Sequence, residues 1–164
     1  MAANLEVTDA QLTKFYICDT GVDLGDATKI KTALTSAKRI AYLEDLGDFT
    51  KTRETTEYKC IDEDAVAVSQ GSVSYGETEL KLFYKAGQDN GVTELSEMFD
   101  KKQRKQFIIV GDDEPATGAN KHPSYITGEF INTKAGITIN KGDVIRVPAV
   151  IKITRLDKII PASA

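Results

Sequence analysis

Few side chains in this sequence are of the kinds that do covalent chemistry, and their spacing limits what they could do. The one histidine, His122, sits in the loop-like run Asn-Lys-His-Pro. Cys18 and Cys60 are far apart and lack the Cys-x-x-Cys spacing of a zinc or redox site, so both are expected to be reduced and semi-buried. There is no Gly-x-Ser-x-Gly, His-Glu-x-x-His or phosphate-cradling glycine loop. The acidic triplets Asp62-Glu63-Asp64 and Asp112-Asp113-Glu114 offer carboxylates without the spaced oxygen ligands of an EF-hand, and read as solvated loop acids. A carboxylate pair for glycoside hydrolysis would lack a sugar platform, because tryptophan is absent. The expectation is a protein without catalysis, metal or cofactor.

What the titratable residues do show is a pattern of charge. From residue 48 to 70, six acids (Asp48, Glu54, Glu57, Asp62, Glu63, Asp64) stand against three bases (Lys51, Arg53, Lys59), leaving −3. From residue 100 to 105, Lys101, Lys102, Arg104 and Lys105 stand against one acid, leaving +3. Opposite poles on a small domain suit a head-to-tail contact between copies, which closes into rings or runs on as filaments. The plainer alternative is two solvated faces. Candidate contact residues are therefore these bases and acids together with Thr50.

The elements that carry these charges centre on residues 47–84. The stretch closes in strict alternation, with Val73, Tyr75, Glu77, Glu79 and Lys81 on one face and Ser74, Gly76, Thr78, Leu80, Leu82 and Tyr84 on the other. That strand is anchored in a core. The part before it, from Asp48 to Asp64, has too little apolar area on either face to lie down on its own domain, and is expected to project as an arm over about residues 47–70. A turn is expected at Gln70-Gly71. Exposed strand edges recruit other strands, so a retained arm suggests recruitment.

The rest of the chain reads as one mostly β domain, 1–164. With 164 residues, 41% apolar and 28% charged, it can bury one core, and no apolar run approaches the roughly 18 residues of a membrane span. The first residues have neither a basic start nor an apolar run, so no secretion signal is expected. The net charge of −4 gives the whole molecule no reason to grip nucleic acid. Residues 1–13 read as a loose arm and 14–18 as a short strand; residues 27–45 are ambiguous, favouring a loop or helical turn and then a strand over 38–45. The one clear helix follows Gly91, capped by Asn90 or Thr93, with Val92, Leu95, Met98 and Phe99 on one stripe and the four bases at its C-terminal end. Strands are expected at 107–110, 125–132 and 143–157, with Pro148 demanding an edge or a bulge. The sum is a β-sandwich or barrel-like pair of sheets with one helix packed on a side.

The run Thr-Lys-Thr-Arg-Glu-Thr-Thr-Glu-Tyr, then Ile-Asp-Glu-Asp-Ala, then Ser-Gln-Gly-Ser-Val-Ser-Tyr-Gly-Glu-Thr-Glu-Leu-Lys-Leu-Phe-Tyr, a Gly-rich break and a helix ending in Met98-Phe99 resembles the major tail tube proteins of long-tailed, non-contractile, lambda-like bacteriophages. The resemblance runs from about Lys38 to Asp157, through the strand containing Gly128-Glu129-Phe130, and its specificity lies in the order of elements. Some members carry an additional immunoglobulin-like domain, which is not expected here. The resemblance implies stacked, hexameric rings whose sheets join between subunits into one barrel, in a virion tail assembled in the bacterial host cytoplasm. It implies that the 47–70 arm orders against an adjacent ring, and that DNA passes through a lumen for which Glu77 and Glu79 are candidate lining residues. Implied partners are further copies, a tail tip or initiator, a tape measure and a tail terminator. Two other readings stay open: a tube protein of a related secretion or injection system, and a soluble β-sandwich module binding a ligand through the 111–123 loop.

Overall fold

The computed structural model describes residues 12–62, 64–85, 87 and 90–164. The expected loose arm at residues 1–13 lies almost wholly outside them, as does Glu63. The strands are β1 (Lys14–Asp19), β2 (Lys38–Ile40), β3 (Leu43–Asp45), β4 (Lys51–Lys59), β5 (Val66–Tyr75), β6 (Glu77–Phe83), β7 (Arg104–Val110), β8 (Tyr125–Lys134) and β9 (Arg146–Leu156). The helices are α1 (Ala27–Leu34) and α2 (Val92–Asp100). Seven strands form one antiparallel sheet in the order β2-β1-β7-β8-β9-β6-β3, and β4 and β5 pair only with each other.

A chain-length argument shows that the large sheet is rolled. Laid flat, its seven strands would put the edge strands β2 and β3 about 29 Å apart. Yet only Ala41 and Tyr42 separate Ile40 from Leu43, a step that an extended chain covers in at most about 11 Å. The edges must therefore approach each other. Asn90, buried at the closure, donates through its side-chain amide to the carbonyls of Ala41 (3.2 Å) and Phe83 (3.1 Å), while Phe83 N–H reaches Tyr42 O at 2.9 Å.

The inside of the roll is apolar because each strand alternates. Thr78, Leu80 and Leu82 of β6 and Val147, Ala149, Ile151 and Ile153 of β9 point inward, as their period of two requires. They meet Phe15, Phe107 and Phe130, whose ring centroids lie 5.9–6.1 Å apart, and Leu95 and Met98 of α2. On the outer face, Ile108, Cys18 and Tyr125 are covered by Ile30 and Ala33 of α1. This part of the sheet is thus buried on both sides.

Several expectations change here. The ambiguous segment holds a second helix, α1, whose first turn is capped by Asp26 accepting from Lys29 N–H at 2.9 Å. The strand expected over 38–45 is two strands on opposite sheet edges, parted where Tyr42 takes a positive φ of 59°. Gln70-Gly71 is not a turn but lies within β5, and the reversal falls at residues 60–65. Pro148 lies where β9 pairs with β6 beyond the end of β8, a local edge that needs no proline N–H. Neither Asn90 nor Thr93 caps α2; Gly91 stands at the cap position, in the left-handed region at φ 94°, while the side chain of Asn90 is turned toward the closure, where its NH2 group donates to Ala41 and Phe83.

Candidate assembly surfaces

The β4–β5 hairpin is the part of the molecule that lacks a home. Every residue of β4 is exposed, and so is β5 up to Ser72. At about 3.3 Å per residue it is about 30 Å long, and an isolated two-stranded ribbon of this kind is marginal in water. Its root is firm: Gly76 N–H donates to Thr50 O at 3.3 Å, and Ile153 N–H donates to Gly76 O at 3.1 Å. From there the ribbon leaves the sheet as a continuation of β6.

The pairing register reveals a face that the sequence does not display. Arg53 pairs with Val73 but Thr55 pairs with Gln70, so β5 holds one more residue than β4 over this interval. That is a β-bulge at Gly71-Ser72, with Arg53 Nη1 donating to Gly71 O at 2.9 Å. Across a regular strand, Val66 and Val68 would face away from Val73 and Tyr75; the extra residue returns all four to one side. The result is a stripe that starts at Tyr75, which packs on the core, and runs outward through Val73 to Val68 and Val66, 59% and 54% exposed. Lys51, Arg53, Glu57 and Lys59 flank it on β4. Tyr75 is thus not on the face of Glu77 as strict alternation implies, since Gly76 breaks the strand between them.

The candidate contact residues divide once placed. Asp48, Thr50, Lys51, Arg53, Glu54, Glu57, Asp62 and Asp64 are all exposed along the arm, its root and its tip. The basic cluster is not one patch at the end of α2: the helix ends at Asp100 with no base in its last turn. Arg104 and Lys105 belong to β7, where Arg104 meets Glu129 at 3.4 Å and Lys105 meets Asp19 at 3.4 Å and Glu94 at 3.9 Å. Only Lys101, loosely paired with Glu97 at 4.0 Å, and Lys102 stay at the surface turn. Glu77 and Glu79 do project to solvent from β6, beside Lys81 and opposite Lys152 and Val150 of β9.

A second apolar surface lies at the other end of β6. Tyr84 N–H donates to Ile145 O at 3.0 Å, and Thr138 and Arg146 exchange backbone hydrogen bonds of 2.8 and 3.1 Å, which holds the 135–145 loop at the start of β9. Ile137, Ile139, Val144 and Tyr84 are 54%, 67%, 52% and 51% exposed there. Composition alone gives no hint of this patch, because the four residues come from two separate segments.

Of the groups that could do chemistry, all but Cys60 are engaged within the fold. Cys18 is buried, and desolvation, then the Asp19 charge, pushes its thiol up to about 11. Cys60 is free and exposed at the arm tip, not semi-buried, because the reversal there packs on nothing. The His122 ring stacks on Tyr125 at 5.6 Å and the His122 backbone N–H donates to Ser163 O at 2.8 Å, so the 111–123 loop is tied to the C-terminal segment. A depression of about 470 Å³ contains Arg155, but its guanidinium already donates to Gln106, Glu129 and Asp157 at 3.0–3.2 Å. Among the described residues no group of three or more His, Cys, Asp or Glu is placed to hold a metal, and no helix is long and apolar enough to cross a membrane.

No protein-family model matches the chain, and no curated protein matches it. Solved structures do. The chain is similar to the PVC sheath/tube terminator of an extracellular contractile injection system, with a TM-score of 0.64 and 11% identity over 99% of this chain and 100% of that one. It is similar to a chain of the anti-feeding prophage baseplate, with a TM-score of 0.63 and 8% identity over 98% of both. It is also similar to the SPP1 tail tube, with a TM-score of 0.58 and 13% identity over 92% of this chain and 78% of that one. The rolled antiparallel sheet with its helices is therefore the fold of tail-tube and injection-machine components.

Proposed function

We propose that this chain is a structural subunit that polymerises with copies of itself into a tail tube, without catalysis. The observation that carries the reading is the β4–β5 arm: a ribbon about 30 Å long, with a bulge-aligned valine stripe, that the domain itself leaves uncovered. In the finer form, hexameric rings stack, their sheets join into one continuous barrel, and arms order against the adjacent ring. The tube belongs to a long-tailed, non-contractile phage virion and is assembled in the host cytoplasm. Its partners are a tail tip or initiator, a tape measure and a terminator. Glu77 and Glu79 face the lumen with Lys81 and Lys152, an electrically balanced lining that lets DNA slide without the salt-sensitive grip of a basic channel.

A second reading has its own support. The two similarities that span nearly all of both chains are to a contractile injection system and a prophage baseplate, so the same tube could serve an injection device. Electron microscopy of the concentrated protein tests the common claim: tubes with a central channel are expected, and a monodisperse monomer at all concentrations would overturn it. Packaged tails of the source virus, probed for the protein by mass spectrometry, separate virion from injection device.

A further inference from the structure

The valine stripe and the exposed isoleucine patch leave β6 from opposite ends. β5 continues β6 past Glu77, whereas Tyr84 and the 135–145 loop follow its last residue, Phe83. A copy displaced along the strand direction thus brings its patch toward the first copy's arm. The two surfaces match in chemistry. Val66, Val68 and Val73 on the arm are answered by Ile137, Ile139 and Val144. The acids at the arm's tip, Asp62 and Asp64, which lie beyond the valine face and its flanking Lys51, Arg53 and Lys59, are answered by Lys134 and Lys141, since Lys85 already donates to the Tyr42 hydroxyl at 3.1 Å and Arg146 is held by Asp143 at 2.7 Å and Glu44 at 3.0 Å. Lys134 and Lys141 have no ion pair among the described residues.

We infer that the 135–145 loop, with Tyr84, is the receptor for the arm of a second copy, whose valine face lies on Ile137 and Ile139. This rests on the reading that the chain polymerises. A contact of this kind is heterologous, because donor and receptor are different surfaces, so each copy keeps one free arm and one free receptor and growth continues. Lys134 and Lys141 draw in the acidic tip of the arm, and the apolar contact holds the valine face once water is expelled.

Two full-length variants split the halves of the contact. Ile137→Asp with Ile139→Asp leaves a chain with an arm and no receptor; Val66→Lys with Val68→Lys leaves a receptor and no arm. All four positions are more than half exposed, so the domain tolerates them. A dye on Cys60, the exposed thiol at the arm tip, reports on the arm. The labelled first variant is titrated with the second, and fluorescence anisotropy should rise to saturation. The rise should weaken at least tenfold when the acceptor also carries Ile139→Ser. Equal binding to both acceptors, or no binding although the parent protein forms tubes, overturns the assignment of the receptor. A parent protein that never polymerises overturns the assembly reading and this one with it.

Discussion

Burial separates the two cysteines into different chemical classes. Cys60 is free and exposed to solvent, while Cys18 is held neutral by its apolar surroundings and the neighbouring Asp19. At pH 8 in native buffer, Ellman's reagent should titrate one thiol per chain, and two after unfolding; two fast thiols in the native protein would mean that α1 does not cover the outer face. Gly91 is the second residue where a single atom matters. Its φ of 94° suits glycine, and an added Cβ would run into Ile40 at the closure between sheet edges. Gly91→Ala should cost roughly 2 kcal/mol, read from urea unfolding, by combining left-handed strain with a clash against a side chain of the core. Phe107→Ala should cost more, about 3–5 kcal/mol, since the ring is fully buried between Phe15, Phe49 and Phe130.

Among the elements, the arm is the one whose removal should leave the rest standing. Replacing residues 53–73 by Asn-Gly keeps the Thr52–Ser74 pair, whose hydroxyls lie 2.9 Å apart, and supplies a two-residue turn that closes a hairpin well. Thermal melting should stay within a few degrees of the parent while polymerisation is lost; loss of folding would show that the ribbon is part of the core. The bulge permits a finer experiment. Inserting one threonine after Glu54 gives β4 the residue that matches the extra one of β5, so the ladder becomes regular and Val66 and Val68 should turn to the face opposite Val73. The chain should remain folded and polymerise poorly, whereas unchanged tubes, seen by light scattering and microscopy, would show that the stripe is not a contact. α1 behaves differently: Ile30 is fully buried on the outer face, and Ile30→Ala should lower stability by about 2–4 kcal/mol without touching assembly.

At the scale of the whole molecule, a lone copy leaves the valine stripe and the isoleucine patch exposed, and on the assembly reading its dynamics should show it. Amides of β4 and β5 should exchange within seconds in dilute protein while those of β7 and β8 resist, and the arm should gain protection on assembly. An arm as protected as the core in dilute solution would contradict the need for a partner. Raising salt from about 0.1 M to about 1 M shortens the Debye length from about 10 Å to about 3 Å, so elongation followed by scattering should slow while finished tubes persist.

The sequence by itself determined the mainly β class, the inward faces of β6 and β9, the helical stripe of α2 and the polarity of the arm, because each is a local period of two or 3.6 written in neighbouring residues. It placed the charges of the arm where they are exposed. Only the tertiary structure decided the rest. Whether residues 38–45 are one strand or two depends on edges brought together by distant β1 and β6. Whether Lys105 is free depends on Asp19 and Glu94, and whether four apolar residues share a face depends on one bulge against a partner strand. Those outcomes are set by pairing between residues far apart in the chain, and a local pattern holds no record of which strand lies beside it.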